Sequence, residues 1–328
     1  CQGQTQEKGK QSMRGNSQHR RKTSSGLFGW ASLRNIDPSI PHGKYTMRVN
    51  SLLRRFAAAL IVTAWAVTSV VTSALGLALT SIEASAEVRW PDTNYAEAVP
   101  TVSQVLGYDA GERITWSHDV RRYFAALASH APDQVRIVEY GETWERRPLF
   151  YAVISSPENV ARLDEIKAGM QALRDPRQTT AAAAERLIKS IAPVTWLAYG
   201  IHGNEISTSD AAMMTAYHLL AARGEARVEA ILRDTVVVLV PSQNPDGRDR
   251  FIHRFEIAAG LEPSSDRLSA EHNEPWPSGR TNHYLFDMNR DWFIRTQPEP
   301  RGHADAVLEW LPVAFVDLHE MGSDSTYY

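Results

Sequence analysis

The chain has 328 residues, is 43% hydrophobic and 22% charged, and contains one cysteine, Cys1. One cysteine excludes a disulfide framework, so the fold must rest on its core. Residues 87–328 carry 24 Lys and Arg against 35 Asp and Glu, a net −11 with no basic stripe, which argues against a nucleic-acid partner.

Residues 1–46 are rich in Gln, Ser, Gly, Lys and Arg with little periodic hydrophobicity, the composition of a disordered or non-native leader. Met47, Arg48, Arg54 and Arg55 then precede an apolar stretch, 56–79, that leads to Ala84-Ser85-Ala86. A basic start, an apolar middle and an A-x-A ending predict a signal peptide over 47–86, cleaved before Glu87. The apolar stretch is also long enough to span a bilayer, so the alternative is a membrane anchor over 56–79. Either way the protein is expected to be exported, secreted or periplasmic, and to meet a membrane only if the leader stays on.

After an N-terminal segment over 87–109, the pattern predicts one domain over 110–328. Strands are expected at 135–140 and 149–154, joined as a hairpin through 141–147. Segments 158–173 and 180–190 have helical periodicity. A short apolar run, Val194–Tyr199, closes on Gly200, and a helix follows over 207–222 with Ser207, Thr208, Ser209 and Asp210 in its first turn and Gly224 as a stop. The β-branched run 235–240 and the apolar run 311–318 read as strands buried on both faces. Alternating strands and helices imply a three-layer α/β/α fold around a central mixed, largely parallel sheet.

The chemistry lies on the loops between these elements. His202-Gly-Asn-Glu205 sits on a strand-to-helix loop, and His319 follows 114 residues beyond Glu205 at the end of the last strand. Two imidazoles and a carboxylate at the carboxyl edge of a sheet are what a hydrolytic zinc site needs, with a fourth position kept for water. Asn244-Pro-Asp-Gly247 is first of all a turn. Asp287-Met-Asn289-Arg290 supplies a carboxylate, an amide and a planar cation whose fork matches a carboxylate. Asp317, on the strand face of His319, is a second carboxylate able to back an imidazole. His218 reads as a helix-face residue, and His272, His283 and Trp276 as loop residues that could line a cleft.

Taken in order, His202-x-x-Glu205, Asn244-Pro-Asp-Gly247, Asp287-x-Asn289-Arg290 and His319 resemble the zinc carboxypeptidases of the carboxypeptidase A type (the M14 metallopeptidases) over roughly 110–328. The resemblance implies one Zn2+ held by His202, Glu205 and His319, with Asp287 hydrogen-bonded to a ligand histidine. It also implies that Asn289 and Arg290 grip the terminal carboxylate of a peptide, in a substrate pocket shaped with the help of Asn244. An arginine should polarise the scissile carbonyl; Arg248, Arg250, Arg254 and Arg280 are candidates, with Arg254 the expected one. Family members place a general-base glutamate and a capping tyrosine well after the third ligand. No residue of 322–328 matches that glutamate, so the C-terminal part of the domain is expected to be missing and this chain to hold zinc and substrate without its base.

The partners implied are peptide or protein C-termini. Two other readings share the ligand set: a zinc deacylase of N-acyl amino acids, which a substrate screen separates, and a non-catalytic peptide-binding module of the cell envelope, which hydrolyses nothing even when extended.

Overall fold

A computed structural model describes Trp90 and residues 93–322. The leader and signal-peptide expectations therefore lie outside the described residues. Among those described, no helix is long and apolar enough to cross a membrane.

Five strands make the main sheet: β1 (Val135–Glu142), β2 (Pro148–Ile154), β3 (Val194–Tyr199), β4 (Val236–Val240) and β5 (Ala314–Leu318), in the spatial order β1-β2-β4-β3-β5. β1, β2 and β4 pair antiparallel, whereas β4, β3 and β5 run parallel. The sheet is mixed, as expected, and its parallel half is the half that carries the site. Its helices are α1 (Ser117–His130), α2 (Leu163–Arg174), α3 (Ala181–Ser190), α4 (Ser207–Ala221), α5 (Ala226–Asp234), α6 (Pro245–Ala258) and α7 (Pro298–Trp310).

Strand alternation decides which helix covers which face. Phe150, Ala152 and Ile154 of β2, with Val237 and Leu239 of β4, pack in one buried cluster with α1 and α4 through Phe124, Leu127, Met213 and Tyr217. Tyr151, Val153, Trp196, Val236 and Val238 point the other way, onto Ile166 and Met170 of α2 and Trp310 of α7. Two clusters on opposite faces of one sheet make the three-layer α/β/α architecture. The large rings in the second cluster find polar partners: Trp310 Nε1 donates to the Tyr151 hydroxyl at 2.9 Å, and Trp196 Nε1 donates to His303 Nε2 at 2.9 Å. Burial pushes the His303 imidazole down to about 3, which keeps it neutral and able to accept that bond.

The segment before residue 110 belongs to this body. Asn94–Tyr95 pairs antiparallel with Ala222–Arg223, and Val99 and Val102 are buried in the α1/α4 cluster. The Tyr95 hydroxyl meets His218 Nδ1 at 2.9 Å and Trp90 stacks on that ring, so His218 serves packing.

Two expectations need correction. The helix expected over 158–173 is two helices, Pro157–Val160 and α2, because Arg162 leaves the helical region with φ −123° before α2 begins. The strand expected over 311–318 is shorter and is not buried: Phe315 and Val316 are 41% and 43% exposed. β5 pairs only with β3, and no described element pairs with its outer edge.

Candidate metal centre

The site is built where β3 and β5 end side by side. β3 leaves the sheet through Gly200, whose φ of +66° suits glycine and turns the chain toward His202. Gly203 follows at a backbone crossing, where a Cβ would lie 2.1 Å from Arg248 N, 2.3 Å from Gly247 C and 2.6 Å from Gly279 O. The His202 loop, the start of α6 and the loop ahead of Arg280 therefore touch main chain to main chain.

Both histidines aim at Glu205. His202 Nδ1 lies 2.6 Å from Glu205 Oε1, and His319 Nδ1 lies 3.1 Å from Glu205 Oε2. One ligand atom from each of His202, Glu205 and His319 falls within 4.8 Å of the others. Donors around a tetrahedral zinc with bonds of about 2.0–2.2 Å stand about 3.3–3.6 Å apart, so small adjustments convert this cluster into a metal cradle. Burial falls from His202 through Glu205 to His319, leaving one side of the cradle open.

The far nitrogen of each ring has its own carboxylate. His202 Nε2 lies 3.2 Å from Asp287 Oδ1, and His319 Nε2 lies 2.9 Å from Asp317 Oδ2. A carboxylate on Nε2 holds the proton there and leaves the Nδ1 lone pair for a metal. Asp317 is itself fixed by Gln243 Nε2 at 2.9 Å, and Asp287 by Arg280, whose Nε and Nη2 both donate to Oδ2 at 3.1 and 3.0 Å. Burial would raise the Asp287 carboxyl, but Arg280 and His202 outweigh it and hold it below its ordinary range. The Glu205 carboxyl is likewise lowered against the effect of burial, by the His202 contact, the Glu320 N–H and the two imidazoles. Both acids stay ionised, as ligands and their supports must.

This arrangement sets an expectation. Asp287→Asn and Asp317→Asn should each weaken zinc binding by about 10- to 100-fold, since removing the carboxylate behind a ligand imidazole costs that much. Competition titration with a chromophoric chelator reads it, and unchanged affinity in both variants would remove these carboxylates from the site.

The remaining expected residues fall into three groups. Asn289 and Arg290 sit on the short 3-10 turn Met288–Arg290 that Asp287 caps; Arg290 is exposed and its guanidinium donates only to the Asn289 carbonyl among the described residues. Asn244 is fully buried and its amide is spent inside the protein, accepting from Gly247 N at 2.9 Å and donating to the Arg280 carbonyl at 3.1 Å. It therefore fixes the Arg280 carbonyl against the start of α6. Of the four arginine candidates, Arg254 lies exposed on α6 along a cleft beside the site. Arg248 is buried against Asp210, and Arg250 donates to the carbonyls of Ser278, Thr281 and Asn282. Arg280 alone reaches the cradle, with Nη1 3.4 Å from His202 Nδ1. The sequence offered one missed hint: Arg280 lies only seven residues before Asp287, its partner.

A sheet with helices on both faces carries, at the carboxyl ends of parallel strands, two imidazoles and a carboxylate that together could hold a metal ion. The zinc carboxypeptidase family (peptidase M14) matches residues 120–307, more than half of the chain, and the chain belongs to that family. It is similar to carboxypeptidase Z of Mus musculus, 32% identical over 102 residues that make 30% of this chain and 13% of that protein. Carboxypeptidase D of Rattus norvegicus is 29% identical over 195 residues, 57% of this chain and 12% of that protein. The match thus spans about an eighth of these relatives' length. Among solved structures, carboxypeptidase A from Helicoverpa armigera is similar with 18% identity and a TM-score of 0.40, over 68% of this chain and 52% of that one.

Proposed function

We propose that the chain carries the zinc and substrate groups of an exported metallocarboxypeptidase, a hydrolase that removes the C-terminal residue of peptides. The observation that carries this reading is the pair of imidazoles, each backed by its own carboxylate and both presenting Nδ1 to Glu205. Export rests on the apolar stretch 56–79 and the Ala84-Ser85-Ala86 that follows.

Zinc bound there would supply a Lewis acid and lower the pKa of a water toward neutrality. The other tasks fall to side chains. Arg290, with its fork free of carboxylates among the described residues, grips the substrate's terminal carboxylate together with Asn289. Arg280, beside the cradle, donates to the scissile carbonyl oxygen as charge develops on it; this task passes to it from Arg254. The carboxylates at the cradle are already engaged: Glu205 with both rings, Asp287 and Asp317 behind them, and Glu320 accepting from Ser207 N and Oγ. Each already has partners among the described residues, so we assign the general base to none of them.

Elemental analysis on residues 87–328 beside His202→Ala tests this reading. Near-stoichiometric zinc, lost in the variant, with little turnover of C-terminal peptides is the expected result. No zinc in the unsubstituted protein would overturn the metal reading, and turnover within tenfold of a complete carboxypeptidase would overturn the statement about the base.

A further inference from the structure

A cleft of about 910 Å³ opens next to the metal centre and has no part in the chemistry above. Its rim includes Asn204 and Glu320, the immediate neighbours of the ligands Glu205 and His319, so the cleft and the centre share an edge. Arg290 and Asp287 lie outside its lining. A peptide whose carboxylate is held by Arg290 and whose last bond lies at the cradle therefore has the cleft as a path for its preceding residues.

The lining is amphipathic. Phe251 and Phe255, one helical turn apart on α6, present near-parallel rings with centroids 6.4 Å apart. Around them the charges are unequal. Asp210 is neutralised by Arg248 at 2.6 Å, and Glu112 has Arg113 within 4.0 Å. Glu271, Glu274 and Glu320 have no arginine or lysine within ion-pair reach among the described residues. Their hydrogen-bond donors are neutral: Ser264 N for Glu271, Asn204 Nδ2 and Gly279 N for Glu274, and Ser207 for Glu320; the His272 imidazole, also on the lining, lies 3.6 Å from Glu271 but turns that same Nε2 to the Ser264 carbonyl at 2.7 Å. Hydrogen bonds from neutral groups orient a carboxylate but leave its full charge in place. Against these three stands one cation without a partner among the described residues, Arg254.

We propose that this cleft holds the stretch of a substrate peptide upstream of the scissile bond and selects a cationic side chain there. The proposal rests on the carboxypeptidase reading and adds a substrate class to it. Among the described residues, three carboxylates without a lysine or arginine partner stand on the lining against one unpaired guanidinium, which favours a negative field in the cleft, and lysine or arginine enters it more favourably than glutamate. The cationic stem packs on the Phe251 and Phe255 rings while its head meets the carboxylates. Arg254 then moderates the selectivity: it opposes the cation, and removing it strengthens the preference.

Fluorescence anisotropy with zinc-loaded protein decides the matter without requiring turnover. The probes are labelled hexapeptides with one C-terminal dipeptide and either three lysines or three glutamates upstream, each also made as the C-terminal amide. The lysine peptide should bind about tenfold more tightly at low salt, and the advantage should shrink in 0.5 M NaCl. Arg254→Glu should tighten the lysine peptide and weaken the glutamate peptide by roughly fivefold each, the size expected for reversing one charge at about 8 Å from a unit charge in a solvent-rich cleft. Equal binding of the two acids, or a preference for glutamate that Arg254→Glu abolishes, overturns the proposal while leaving the carboxypeptidase reading intact. Loss of binding on amidation and in Arg290→Ala supports that reading separately. No binding of either acid overturns both.

Discussion

Gly203→Ala should cost about 3 kcal/mol or more and strip the protein of bound zinc. The added methyl would sit 2.1 Å from Arg248 N, 2.3 Å from Gly247 C and 2.6 Å from Gly279 O, and all three are main-chain atoms that cannot swing aside. Overpacking against side chains commonly costs about 1–3 kcal/mol because they can re-pack; here whole loops must separate. Those loops carry His202, Glu205 and Arg280, so the strain falls on the metal ligands first. Urea melts and zinc stoichiometry read the two effects. Gly260→Ala is the control, since its methyl would meet nothing nearer than Glu262 O at 3.4 Å, and it should stay within about 0.5 kcal/mol of the parent. Equal stability of the two variants would show that the backbone crossing is not tight.

Arg248→Met should be comparably damaging, by about 3–5 kcal/mol. The Arg248 guanidinium is buried and meets Asp210 Oδ2 at 2.6 Å, the Ile206 carbonyl at 2.8 Å and the Thr115 carbonyl at 2.8 Å. Removing one partner of a buried pair leaves the other charge stranded, and two carbonyls lose their donor as well. Adding Asp210→Asn should recover part of the loss, because the stranded charge is then gone. A double variant less stable than the single one would mean that the carboxylate was not the source of the cost. Ile206 directly follows Glu205, so zinc affinity should fall in the single variant too.

Much of the site was legible because its pieces are local. Val194–Tyr199 is a strand in the sequence pattern and in the structure, and the step from strand to helix placed His202 and Glu205 on the intervening loop. The two-residue spacing of Asp317 and His319 put both on one strand face, where they touch. What remained hidden depends on tertiary packing. Arg248, Arg250, Arg254 and Arg280 look alike in the sequence; they are told apart only by Asn244 holding the Arg280 carbonyl and Asp287 holding its guanidinium. The burial of Asn244 was likewise hidden, because it is set by elements far along the chain. The apolar run ending at Leu318 looked fully buried because hydrophobicity cannot distinguish a central strand from an edge.

The crossing of three main chains at Gly203, Gly247 and Gly279 also bears on how such a protein can diversify. A metal loop, a helix start and an arginine loop that share atoms at contact distance act as one rigid casting, and lengthening any of them at that point displaces the other two. The stretch between 260 and 278 is different: it walls the cleft, and Leu261, Leu268 and Trp276 stand out in solvent. New substrate preferences are therefore most readily acquired there, by insertion or exchange of residues other than Glu274, whose carboxylate ties the wall to Asn204 and Gly279, and directed evolution aimed at selectivity should begin with that wall.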